Sequence, residues 1–93
     1  MKFEWDEEKN RENMRRHGID FADAIEVFNH PMLTRFDDRK DYGEDRWIGI
    51  GLMQNIVAVV VYVEWIEEDR VRLISARPAL RHERKRYKED IRY

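Results

Sequence analysis

Eight basic residues lie between Arg70 and Lys88 (Arg70, Arg72, Arg77, Arg81, Arg84, Lys85, Arg86 and Lys88), against Glu83 alone, in a chain whose formal net charge is only -2. The sixty-nine residues before this stripe hold nine basic and seventeen acidic side chains, so a basic edge is set on an acidic body. Arginine is permanently cationic and offers phosphate a bidentate fork, which makes Arg77, Arg81 and Arg84, with Arg46 from earlier in the chain, a natural clamp for a polyanion such as RNA. The plainer reading is that these charges solvate a helix surface. A second grouping is Lys9, Asn13, Arg16 and His17, which share one face at helical spacing. Histidine titrates nearest neutrality among side chains, so His17 is a candidate for proton transfer. The three histidines (His17, His30, His82) lack metal-ligand spacing and no carboxylate triplet accompanies them, so no metal or other cofactor is expected.

The elements that must hold these residues follow from periodicity. The chain has 93 residues and no cysteine, so one domain spanning residues 1–93 must hold together by packing, as in a reducing compartment. Charged residues make up 41% of it, well above the ~25% of an ordinary domain, so the surface is highly ionic. With no signal-peptide pattern behind Lys2 and no long apolar run, a cytoplasmic location and no membrane contact are expected.

Phe3 and Trp5 alternate with Lys2 and Glu4 as in a short edge strand. Asp6 is placed to cap a first helix from Glu7 to about His17, with Gly18 as its left-handed stop. That helix is oddly polar, Met14 being its only large apolar residue. Asp20 caps a second helix whose Phe21, Ala24, Ile25 and Phe28 form a core stripe ending at Asn29, His30 and Pro31.

Four strands are then predicted: Leu33 to Asp37, Arg46 to Leu52, Ile56 to Ile66 and Val71 to Arg77, joined by hairpins at Met53 to Asn55 and Glu67 to Asp69. The third is apolar on both faces and should be central. Pro78 suits the first turn of a last helix lined by Leu80, Tyr87 and Ile91. The fold class is therefore α+β: an antiparallel meander of about four strands, two helices before it and one after.

The ordered set Phe3-x-Trp5-Asp6-x-x-Lys9-x-x-x-Asn13-x-x-Arg16-His17-Gly18-Ile19-x-Phe21-x-x-Ala24-x-x-Val27-Phe28 resembles the BrnT toxins, as do the later Gly43-Glu44-x-Arg46, Val61-Tyr62, Arg72-Leu73-Ile74-Ser75-Ala76-Arg77-x-Ala79 and Glu83-Arg84-x-x-Tyr87. These are the ribonuclease halves of bacterial type II toxin-antitoxin pairs and look like a branch of the RelE-type fold. The resemblance implies an RNA-cleaving toxin neutralised by a BrnA-like antitoxin, whose ribbon-helix-helix domain binds operator DNA. The chain departs from the pattern where the family commonly has Thr-Glu-Arg, here Val63-Glu64-Trp65, and where it has Lys, here Pro78. A noncatalytic RNA-binding or co-repressor module is thus the alternative to an endoribonuclease.

Cleavage by the neighbouring ribose 2'-hydroxyl needs a base, an acid for the leaving oxygen, and positive charge on the crowded phosphate, with no obligatory metal. The catalytic candidates are Arg77, Glu64, His17 and Arg46. Arg81, Arg84, Lys9 and Arg72 are the RNA-binding candidates, and Glu83 is a second possible base. Each has a structural competitor. His17 could satisfy helix-end carbonyls, Glu64 could pair across strands with Arg72, Glu83 could pair with Arg86, and Arg77 could cap a loop. Lys9 and Asn13 could be a solvated helix face, and Trp5, Trp47 and Tyr87 core.

Overall fold

Ile56–Trp65 buries Val57 to Val63 without a break, and a strand apolar on both faces requires a covering layer on each. The computed structural model, which describes residues 1–91, supplies both layers. In chain order the elements are β1 (Lys2–Glu4), α1 (Glu7–His17), α2 (Phe21–Ala24), β2 (Leu33–Phe36), β3 (Trp47–Met53), β4 (Ile56–Trp65), β5 (Arg70–Pro78) and α3 (Arg81–Asp90). They build an α+β fold of three helices and one five-stranded sheet in the order β1-β5-β4-β3-β2. None of these helices is long and apolar enough to cross a membrane.

One face of the sheet offers Ala58, Val60, Tyr62, Val71, Leu73 and Ala76 to Phe21, Ala24 and Val27, with Phe3, Trp5 and Phe28 at the margin. The other offers Ile48, Val57, Val59 and Val61 to Ala79 and Tyr87. Tyr87 is fully buried and its hydroxyl donates to the Pro31 carbonyl at 2.8 Å, which fixes α3 over the β3–β4 half of that face. Gly51 lets the chain after α2 approach β3, because a Cβ there would sit 3.1 Å from the Val27 side chain.

The sheet corrects the expected antiparallel four-stranded meander. It is mixed, because β1 joins as a fifth strand and runs parallel to β5, Phe3 opposite Val71. Three further expectations change. The second helix is α-helical only to Ala24 and tightens into a 3-10 turn over Ile25–Asn29, so its core stripe spans two kinds of helix. Pro78 does not open the last helix. It ends β5 opposite Ala58, and the helix begins after Leu80, which is 56% exposed and not core. β5 also carries an extra residue at Ile74, a bulge opposite Val61 and Tyr62.

α1 begins and ends where expected: Asp6 accepts from the amides of Glu8 and Lys9, and Gly18 is left-handed at φ 75°. What holds this polar helix is amide chemistry. Among the described residues, no strand pairs the outer side of β5 beyond Arg72. There Asn13, 6% exposed, donates to the Ala76 carbonyl (2.8 Å) and the Ile19 carbonyl (2.9 Å) and accepts from the Ala76 amide (3.1 Å). Asn10 donates to Asp20 (3.0 Å) and accepts from the Phe21 amide (2.9 Å). Asn13 is therefore not part of a solvated helix face; it acts as a substitute strand residue closing the edge of β5.

Asn13→Ala leaves one buried N–H and two buried carbonyls without this partner and should cost about 2–4 kcal/mol in urea-induced unfolding. Met14→Ala, at a position 37% exposed, should change stability by less than about 1 kcal/mol.

Candidate functional site

Because the Asn13 clasp stands α1 against β5, a groove of about 240 Å³ opens between them, lined by Lys9, Glu12, Asn13, Arg16, His17, Ile74 and Ser75. His17 is half-buried, while Lys9 and Arg16 are exposed. Arg16 lies 3.5 Å from Glu12, and Glu12 is also held by Arg15. The structure thus brings Lys9, Arg16 and His17 together beside the strand that leads to Arg77.

Arg77 is the last residue but one of β5, opposite Val59. Its two terminal nitrogens grip both Glu83 oxygens at 2.8 and 2.9 Å, and one of them also donates to the Pro78 carbonyl at 3.3 Å. Glu83 in turn accepts from the Leu80 amide at 2.7 Å, so it closes the first turn of a helix whose N-cap residue carries no polar side chain. The partner expected for Glu83 was Arg86; that residue instead meets Asp90 at 3.5 Å. The Arg77 guanidinium holds the Glu83 carboxyl down at about 2, so Glu83 is a poor proton acceptor near neutrality.

From this junction α3 carries the basic surface outward. Arg81, His82, Arg84, Lys85 and Lys88 line an open hollow of about 790 Å³. Arg84 spends one terminal nitrogen on the Ala79 carbonyl (2.8 Å), which steadies the same turn.

Arg46 and Arg72 lie elsewhere and share a carboxylate. Arg46 reaches Glu44 at 3.0 Å and its guanidinium lies over the Tyr42 ring at 4.2 Å, while Arg72 grips the other oxygen of Glu44. Burial pushes the Glu44 carboxyl up, but the hydrogen bonds from Arg46 and Arg72 outweigh it and leave the group below its ordinary value. Arg72 faces Val63 across the sheet, not Glu64, so the expected Glu64–Arg72 pair is replaced by Glu44–Arg72.

Glu64 lies opposite Val71, on the Tyr62 side of β4, where burial and, to a smaller extent, the Glu64 charge push the Tyr62 hydroxyl up to about 12. It is five residues along β4 from Val59, the partner of Arg77. That is about 16 Å at the usual strand rise, and alternation turns Glu64 to the opposite face. Glu64 and Arg77 do not converge. Trp65 is covered by Arg70, whose guanidinium lies 3.9 Å from the ring centroid, so its face is already used. Trp5 packs edge-on against Phe21 and Tyr87 is core, whereas Trp47 is 36% exposed and pairs with Phe36.

One cation escaped the sequence reading. Arg39 is gripped through Nε and a terminal nitrogen by Asp37 at 2.7 and 2.8 Å, and that carboxylate is wholly buried. The Arg39 side chain remains 58% exposed, and its charge reaches Arg77 and opposes the effect of Glu83 there. The only signal in the sequence was an Asp-x-Arg spacing in a charged loop, too common to single out. Among the described residues, no cluster of three or more histidines and carboxylates is placed to hold a metal ion.

A comparison with protein-family models matches residues 5–83 to the family described as the ribonuclease toxin BrnT of type II toxin-antitoxin systems. A search of curated proteins found no match.

The Arg77–Glu83 pair makes the fold acid-sensitive with a definite sign. A carboxyl lowered from 4.5 to about 2 contributes stability that is complete above about pH 4.5 and is lost as pH falls toward 2. Glu83→Gln should therefore be less stable than wild type by on the order of 2 kcal/mol at pH 7, and the gap should shrink toward zero by about pH 2 in parallel thermal melts.

Proposed function

We propose that this chain, a member of the BrnT family of ribonuclease toxins of type II toxin-antitoxin systems, cuts single-stranded RNA at the β5–α3 junction without a metal ion. The supporting observation is the groove that sets His17 with Lys9 and Arg16 beside Ser75, two residues before Arg77 on the same strand. His17 moves the proton of the ribose hydroxyl or of the leaving oxygen, and Arg77 stabilises charge on the pentavalent phosphate. Arg81, Arg84 and Lys9 hold the flanking phosphates, joined by Arg39. Arg46 and Arg72, tied to Glu44, shape the adjacent surface and contact RNA only at its margin. Glu64 faces away from Arg77 and takes no part in the proton transfer.

The family's pairing with an antitoxin supports a BrnA-like partner with a ribbon-helix-helix domain. Operator DNA is then reached through that partner only, and the complex works in the cytoplasm. The mixed sheet with helices on both faces is read as a variant of the RelE-like fold. A noncatalytic co-repressor role draws on two features: Glu83 already occupies both terminal nitrogens of Arg77, and Trp65 and Pro78 stand where the family commonly carries cations.

Purified chain is expected to cleave single-stranded RNA equally with and without a chelator. His17→Ala and Arg77→Ala should each lose on the order of a hundredfold or more in rate with unchanged far-UV circular dichroism, and Glu64→Gln should stay near wild type. Full activity in His17→Ala, or loss on chelation, would remove this mechanism. Folded wild-type chain that binds RNA without cutting it supports the co-repressor role.

A further inference from the structure

β2 is a terminal strand of the sheet, and three of its four residues are exposed. The direction of its unpaired peptide groups follows from register. Asp37 donates to the Arg46 carbonyl at 2.8 Å, and in an antiparallel ladder hydrogen-bonded pairs recur every second residue, so Arg35/Ile48 and Leu33/Ile50 are bonded pairs. The N–H and C=O groups of Thr34 and Phe36 therefore point outward, and among the described residues nothing pairs with them.

The two margins of this edge differ in chemistry. On the α3 side, Leu33, Ile48 and Ile50 floor a slot of about 50 Å³ flanked by Thr34, Arg35 and Arg86. Among the described residues Arg35 has no ion pair, and Arg86 has only the exposed contact with Asp90. On the opposite side, Phe36 and Trp47 are 46% and 36% exposed and meet edge-to-face at 5.5 Å.

We propose that this edge takes up an extended segment of the antitoxin as a sixth strand, its side chains alternately acidic toward Arg35 and Arg86 and apolar toward Phe36 and Trp47. Main-chain bonds to Thr34 and Phe36 supply affinity and the two unlike margins supply register, as in strand addition generally. Charge decides among occupants. A second copy of this chain would bring Arg35 and Arg86 toward cations of their own kind, which is repulsive at close range. RNA would satisfy the arginines and leave the peptide groups unpaired. The inference rests on the antitoxin partnership and not on catalysis, and its test reads no cleavage.

Two blocked ten-residue peptides, one alternating Glu and Val and one alternating Lys and Val, serve as probes in hydrogen exchange of the intact chain. The Glu/Val peptide should slow the Thr34 and Phe36 amides at least tenfold while the Lys/Val peptide does not, and Arg35→Glu should weaken Glu/Val binding tenfold or more. Equal effects of both peptides, or no added protection at millimolar peptide, would overturn the proposal. So would protection of these two amides by single-stranded RNA, or by raising the concentration of the chain alone.

Discussion

The side-chain amide of Asn13 is the contact on which the working parts of this protein depend. α1 has almost no apolar surface to bury, so the hydrophobic effect that docks most helices is nearly absent. Asn13 replaces it by bonding to both peptide groups of Ala76, and Asn10 ties the same helix to the start of α2. A buried amide that satisfies three backbone groups is strong because the alternative leaves those groups unpaired in a dry site. The clasp also solves an edge problem. β1 pairs only Arg70–Arg72, and without α1 the rest of β5 would be an open template.

Once α1 is fixed, the charge pattern explains itself. The acidic body neutralises several of the arginines: Asp37 takes Arg39, Glu44 takes Arg46 and Arg72, and Glu4 and Glu68 take Arg70, while Glu83, the one acid within the stripe, takes Arg77. Among the described residues, Arg81, Lys85 and Lys88 have no such partner, so positive potential gathers along α3 from its first turn. A polyanion would be attracted to that end, where Arg77 meets the first turn of α3. Glu83 has two tasks there, since it caps α3 and fixes the direction of Arg77.

Local features were legible in the sequence and long-range ones were not. Asp6 and Gly18 bounded α1 because capping chemistry depends on a few neighbouring residues. The unbroken apolar run of β4 marked the centre of the sheet for the same reason, and the Gln54-Asn55 turn, with both residues at positive φ, closes the expected hairpin. The parallel pairing of β1 with β5 could not be read, because three residues with no turn signal say nothing about a partner nearly seventy positions away. Pro78 looked like a helix start because proline is at home there; it is equally tolerated at the end of β5, where Ala79 donates to Val57 and the Pro78 nitrogen faces away from β4. Of the candidate site, the helical spacing of Lys9, Arg16 and His17 carried through to the groove. Asn13, on the same stripe, turned inward, and periodicity alone cannot tell a polar residue that faces solvent from one that faces two carbonyls. The separation of Glu64 from Arg77 was not legible, because it is set by the β4–β5 register, which the neighbours of neither residue encode.

Amide chemical-shift mapping with a single-stranded oligonucleotide that lacks every 2'-hydroxyl, and so binds without being cut, tests the proposed RNA surface most directly. Shifts should concentrate at His17, Ser75, Arg77 and the first two turns of α3, the surface defined by the groove and the unpaired cations. Shifts confined to Glu64, Trp65 and the Arg70 end of the sheet, with His17 and Arg77 unmoved, would contradict it.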